Sequence, residues 1–281
     1  MPTSNPTWTR TAYLFWSALG ARAYPRLVWL VRAPSWLLQE TLLPLLGIAA
    51  FVLVYRTFGA PPAFEGFVVL GGTMSAFWLN VLWSMGAQLY WERDAGNLEL
   101  YIIAPAPMMA ILAGMALGGI CTTLVRATVI LLAGSIIFDV HLGHPETSWL
   151  AVAGVFVVTL LALYGLGMCF ASAFLLWGRE AWHTVHLLQE PVYLLSGVNY
   201  PLRYLGQPTA WAASLIPMSL GIDALRQLLF PPEQAVGFLP VPAELALLTV
   251  LTIAYLILAR WLLAVLEKKA RAEGRLILKQ H

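Results

Sequence analysis

"YWERDAGNLELYIIAPAP", from Tyr90 to Pro107, is the stretch whose reading decides this fold. Uncharged runs of 26 residues lie on either side, Gly66 to Trp91 and Leu100 to Val125. Each is longer than the ~20 apolar residues that carry a helix across a bilayer. The charged island of Glu92, Arg93, Asp94 and Glu99 therefore connects two predicted spans. It is too long and too ordered in pattern for a plain connector. Asn97 is placed to cap a helix, Leu98, Tyr101 and Ile102 fall at i, i+3 and i+4 on one face, and Pro105 ends it. A short amphipathic helix is predicted at about residues 92–105.

The rest of the chain fits that reading. Of its 281 residues 60% are hydrophobic and only 11% charged, where a soluble domain carries about a quarter. The fold class is an all-α polytopic membrane protein, with no polar stretch long enough to build a soluble core. Cys121 and Cys169 both sit in apolar runs, which argues against a disulfide framework. The N-terminus "MPTSNPTWTR" has no basic segment leading into a short apolar core with a cleavage site, so no cleaved signal peptide is expected. A net charge of +2 gives no sign of a nucleic-acid partner.

Six transmembrane helices are predicted: roughly Ser35–Phe58, Gly66–Tyr90, Met108–Phe138, Trp149–Trp177, Ala181–Val198 and Ala243–Leu266. Together they make a transmembrane domain over residues 35–266. Residues 1–34 are read as a cytoplasmic N-terminus with an interfacial helix. There aromatics stand beside Arg10, Arg22, Arg26 and Arg32, Arg22 and Arg26 share a face, and Pro25 is expected to kink or split the helix. Residues 267–281 form a basic cytoplasmic tail. Between the fifth and sixth spans, residues 199–232 are apolar but interrupted by Pro201, Pro208, Pro217 and Pro231. Those pieces are too short for ~30 Å of hydrocarbon and read as an outer re-entrant segment. With both termini cytoplasmic, 12 of the 16 basic residues fall on that side, as the positive-inside rule requires.

Two motifs resemble one family. "ERDAGNLELYIIAPAP" resembles the cytoplasmic loop of type-2 ABC transporter permeases, the exporter class, whose pattern is Arg-Glu-x-Gly-Thr-Leu-Glu, a hydrophobic run, then Pro. Arg93, Gly96, Leu98, Glu99 and Pro105 match it; Asp94, Asn97 and Ala104 depart from it. "LLSGVNYPLRYLGQPTAWAASLIPMSLGIDALR" resembles the same family's later segment through Ser196, Gly197, Pro201, Leu202, Pro217, Asp223, Ala224, Leu225 and Arg226.

The resemblance covers nearly the whole chain and implies the following. The loop is a coupling helix that docks on a nucleotide-binding ATPase subunit. Glu92, Arg93, Asp94 and Glu99 would pair with polar groups of that subunit while Leu98, Tyr101 and Ile102 fill its groove. The chain has no Gly-x-x-x-x-Gly-Lys-Ser/Thr phosphate loop, so it is not itself an enzyme and binds no cofactor; ATP and Mg belong to the ATPase partner. A six-span permease implies a second permease copy, in a homodimer or a heterodimer with a close relative, two ATPase subunits, and a bacterial-type inner membrane. Spans two and five line the path, with Trp78, Glu190 and Tyr193 as candidates. The expected substrate is an amphipathic drug or lipid, with a lipid-linked glycan as the alternative.

Ionisable residues within spans cost about 3 kcal/mol or more and call for partners. Glu40, Arg126 and Glu190 are the candidates, most simply read as interhelical pairs or snorkelling groups. His183, His186 and Glu190 share a face, but histidines near a span's end are commonly interfacial, and no metal is expected. Asp223 and Arg226, one turn apart, read as a helix salt bridge fixing the re-entrant segment alongside Pro201 and Pro217. An intramembrane enzyme would need a His-Glu-x-x-His or Gly-x-Ser-x-Gly constellation, which is missing. A secondary carrier would usually show inverted repeats, and no convincing internal repeat is found.

Overall fold

The computed structural model describes residues 7–32, 34–177, 181–235 and 237–273. Everything regular in them is helical. In chain order the helices are α1 (Thr7–Arg32), α2 (Pro34–Thr57), α3 (Ala63–Leu79), α4 (Gln88–Asp94), α5 (Leu98–Ile103), α6 (Met108–Phe138), α7 (Trp149–Trp177), α8 (Ala181–Leu195), α9 (Gln207–Ala213), α10 (Pro217–Leu229) and α11 (Val241–Glu273). A π-helical segment, Asn80–Gly86, joins α3 to α4, and a 3-10 turn, Leu202–Leu205, precedes α9.

Among the described residues, five stretches are long and apolar enough to cross a membrane: Leu37–Thr57, Ala63–Asp94, Met108–Phe138, Trp149–Phe174 and Val241–Leu266. The predicted fifth span, Ala181–Val198, is different. Its helix α8 has 15 residues, about 22 Å at 1.5 Å per residue, and so falls short of the ~30 Å hydrocarbon layer by itself. Residues 178–180 lie outside the described ones.

The Ala63–Asp94 helix is the core. Phe67, Met74, Phe77, Trp78, Val81, Leu82, Met85 and Leu89 are buried along its length, and α6, α7 and α10 surround it. The other candidate spans carry apolar residues outward, among them Leu43 and Phe51 on α2, Ile136 on α6 and Ile257 on α11. Exposed aliphatic surface on that scale suits contact with lipid chains rather than water.

Helix α1 is continuous through Pro25, so the expected split does not occur. It lies along the first half of α6. A Cβ on Gly114 would stand 2.6 Å from the Leu19 carbonyl oxygen, so the two backbones nearly touch. Tyr13, Trp16, Tyr24 and Trp29 point away from the protein, while Arg22 and Arg26 point in.

The broken stretch 199–232 holds the 3-10 turn and the short helices α9 and α10. Pro217 sits in the first turn of α10, where its missing N–H is no loss, and Pro201 precedes the 3-10 turn.

Candidate functional site

The opening motif folds as a helix, a tight stop and a second short helix. α4 ends through Gly96, whose φ of +77° places it in the left-handed region. The Gly96 N–H donates to the Arg93 carbonyl (3.0 Å) and the Asn97 N–H to the Glu92 carbonyl (2.8 Å). This is the paired bonding of a Schellman stop, which favours glycine. Asn97 does not cap α5 with its side chain; its Nδ2 donates instead to Glu92 Oε2 at 2.9 Å. α5 stops at Ile103, because Ala104, preceding Pro105, is extended (ψ 141°) as a residue before proline is biased to be.

Glu92 is not on the surface. Only 7% of it is exposed, and its carboxylate accepts from four side chains: Arg22, Gln88 Nε2 (2.7 Å), Asn97 Nδ2 and Tyr101 OH (3.0 Å). The expected docking role of Glu92 is therefore corrected to an internal one. Glu92 accepts bonds that tie α1, α4 and α5 together.

Leu98, 1% exposed, is likewise part of the core, and Tyr101 is half-buried. Tyr101 lies under the Arg22 guanidinium, 5.3 Å from ring centroid to carbon, and burial raises its phenol pKa against the opposing effect of Arg22. The side chains of Glu99 and Ile102 lie outside the described residues. What faces outward is Trp91, Asp94, Leu100 (59% exposed) and Ile103 (76%), with Arg93 intermediate. Arg93 stands over the Tyr90 ring at 5.1 Å.

Arg26 binds the neighbouring π-helical turn. Its guanidinium donates to the Ser84 carbonyl (2.6 Å), the Met115 carbonyl (3.0 Å) and Gln88 Oε1 (2.9 Å). The Ala87 N–H reaches five residues back to Leu82, the bond that defines a π turn. Burial, with the Arg22 charge adding, pulls the Arg26 pKa down to about 10, so it remains a cation at neutral pH.

A second polar group sits beside the middle of α3. Arg126, buried on α6, pairs with Glu40 of α2 and donates to the Ala76 carbonyl (2.6 Å). Tyr193 of α8 engages the Ser75 side chain and lies near the charges of Arg126 and Glu190. Trp83 Nε1 donates to Gln189 Oε1 (2.9 Å), and the His186 ring meets the Trp83 ring edge-on at 4.7 Å. Glu190 is exposed and accepts from Gln189. Trp78, expected on the same path, is 1% exposed with its ring packed against Phe170, so it belongs to the core. Among the described residues, no group of three or more His, Cys, Asp or Glu side chains could hold a metal ion.

The third group joins α3, α10 and the start of α11. The expected Asp223–Arg226 salt bridge is absent. Arg226 donates to the carbonyls of Tyr200 (2.9 Å), Phe67 (3.0 Å) and Val198 (2.7 Å). Burial lowers its pKa to about 10. Asp223 accepts from the Phe238 N–H (2.6 Å), and Gln227 Nε2 reaches Asp223, the Leu239 carbonyl and Glu244. Arg226 thus binds backbone freed by the turn at Gly197–Tyr200, while Asp223 holds the loop that leads into α11. Gln88, Gln189 and Glu244 join these groups without belonging to any motif; a polar side chain within or beside an apolar run is the signal each leaves in the sequence.

No family model matches this chain, and comparison with curated proteins finds no match either.

Proposed function

We propose that this chain is the transmembrane permease subunit of an ATP-driven ABC exporter. The observation that carries the reading is the outward face of α5. Leu100 and Ile103 are exposed on a six-residue helix that is tied through Glu92 to α1 and α4. Two exposed aliphatic side chains on so firmly held a helix suit a groove in a partner protein, where apolar anchors supply most of the affinity. The Leu89, Glu92 and Leu98 side chains behind them are buried, so a push on α5 passes to the Ala63–Asp94 helix.

In this reading α8 supplies a fifth crossing, extended by the turn at residues 196–200, and six spans place both termini in the cytoplasm. α1 lies in the inner interface, and α9 and α10 form a re-entrant segment on the outer side. Two copies pair in the inner membrane, and two ATPase subunits carrying ATP and Mg dock on the two α5 helices. ATP binding closes the ATPases and the movement of α5 tilts the spans. The substrate is an amphipathic drug or lipid; a lipid-linked glycan is the alternative.

The test is co-expression with the ATPase encoded beside this chain and purification through a tag on the permease alone. The proposal expects the ATPase to co-purify and its ATP turnover to change with added amphiphile. A chain that moves substrate in liposomes on an ion gradient, with no ATPase present, would falsify it.

A further inference from the structure

We infer that the α8 face beside Trp83 and Tyr193 receives the cationic head of an amphipathic substrate, an inference that rests on the export reading above. Its depth comes from contacts with the Ala63–Asp94 helix. Tyr193 meets Ser75, and Gln189 and His186 meet Trp83. At 1.5 Å per residue these levels are about 18 Å and about 30 Å below Ala63. Glu190 lies between them, alongside the inner half of the span. The turn that follows α8 is held tightly against α3, since a Cβ on Gly71 would overlap the Val198 carbonyl.

The outward stripe of α8 is His183, His186, Leu187, Glu190 and Leu194, positions on one helical face. A carboxylate exposed at that depth does not face lipid chains; such residues face a bundle interior or a water-filled cavity. The stripe is polar towards the cytoplasmic end and apolar at Leu194, matching a molecule with a charged head and a greasy body.

The sign of the head follows from the charges present. Arg126, the guanidinium near Tyr193, is paired with Glu40 and buried, so its charge is already offset. Among the described residues, Glu190 accepts its hydrogen bond from the neutral Gln189 amide. The aromatic rings add to the preference. A tryptophan face is the strongest cation–π acceptor among side chains and tyrosine serves as well, and Trp83 and Tyr193 are both partly accessible. The π-helical turn at Asn80–Gly86 sets Trp83's direction, and π turns recur at functional sites. Carboxylate, indole and phenol together suit an ammonium or phosphonium group and repel an anionic one.

Two probes of the same shape and opposite charge decide the matter: tetraphenylphosphonium and tetraphenylborate. Binding is measured to the purified full-length chain in nanodiscs of zwitterionic lipid, against empty discs. The phosphonium should bind saturably, Glu190→Gln should weaken it at least tenfold, and Glu190→Asp should keep most of it. The borate should show no saturable excess. If the borate binds as well as the phosphonium, or if Glu190→Gln leaves phosphonium affinity unchanged, the inference is overturned. Thermal unfolding of each variant is followed in parallel. Should Glu190→Gln be unfolded, Tyr193→Leu is held to the same tenfold criterion. Loss of the export reading is separable. A chain that binds phosphonium through Glu190 yet never captures an ATPase keeps the site and loses the exporter, whereas an ATPase complex without phosphonium binding loses the site alone.

Discussion

Arg22 and Glu92, 70 positions apart in sequence, form an ion pair that fastens the N-terminal helix to the turn between α4 and α5. The pair is mostly shielded from solvent and Glu92 holds three further donors. Removing one partner of such a buried pair strands the other, at a cost of roughly 3 kcal/mol. Glu92→Ala should therefore lower the thermal unfolding midpoint of the purified protein clearly. In a double-mutant cycle with Arg22→Ala, the two losses should fall short of additivity by about 1 kcal/mol or more. Full additivity would mean the pair does nothing.

The outward residues of α5 should behave in the opposite way. Ile103→Asp and Leu100→Asp alter exposed positions, so stability should move by less than about 0.5 kcal/mol. Capture of the ATPase subunit should weaken by about 30-fold or more, the loss of one apolar anchor. Pull-down alongside a melting curve separates the two effects. An Ile103→Asp chain that still co-purifies with its ATPase would remove α5 as the docking site.

Gly71→Ala has no room, because the new methyl would overlap the Val198 carbonyl. The contact between α3 and the turn after α8 must open, and a loss of about 2 kcal/mol or more is expected, in the range of overpacked cores. Gly47→Ala on α2 is the matched control, since nothing lies within 4 Å of its added Cβ. There the better helix propensity of alanine should leave stability unchanged or slightly raised. Equal melting points for the two variants would contradict this backbone contact.

Gly96→Val should destabilise the turn by about 1–2 kcal/mol, the cost of a left-handed residue with a side chain, though space around the position is open. Gly96→Asn should be milder, because asparagine tolerates that region. Comparing the two by thermal unfolding distinguishes backbone strain from crowding, which would penalise both.

Arg226→Lys should lose about 2 kcal/mol despite keeping its charge. A lysine cannot reproduce a planar fork spanning the carbonyls of Phe67, Val198 and Tyr200. Urea or heat unfolding of the variant in micelles would check it, and a wild-type melt would show the fork to be dispensable.

Long apolar runs made the four spans near Ser35–Phe58, Gly66–Tyr90, Met108–Phe138 and Trp149–Trp177 legible, and the last span with them, because length and hydropathy are local properties. α8 was less so. Glu190-Pro191 and the charges at 179–180 shorten its apolar run, and the turn after it meets α3 at Gly71, a position 127 residues before Val198. The site was legible in position and not in orientation. Glu92 reads as surface charge because its cationic partner, Arg22, is 70 residues away on the first helix, although Gln88, Asn97 and Tyr101 donate to it from nearby. Asp223 and Arg226 had the spacing of a salt bridge, but two carbonyls from the turn at Val198–Tyr200 and a third from Phe67 on α3 competed for the guanidinium and won. Arg126 was expected to have a partner, and Glu40 supplies it from 86 residues away.

The π-helical turn at Asn80–Gly86 has one more effect, on phase. A helix wound wider for a few residues delivers everything below it to a different compass bearing from a uniform α-helix. Counting faces straight through from Ala63 to Asp94 therefore misassigns the lower third. Glu92, which meets Arg22, lies just below that offset. Deleting a single residue between Asn80 and Gly86 would keep every apolar run intact while swinging the carboxylate off its cluster of donors. In this helix the winding, as much as the residue types, is part of the address.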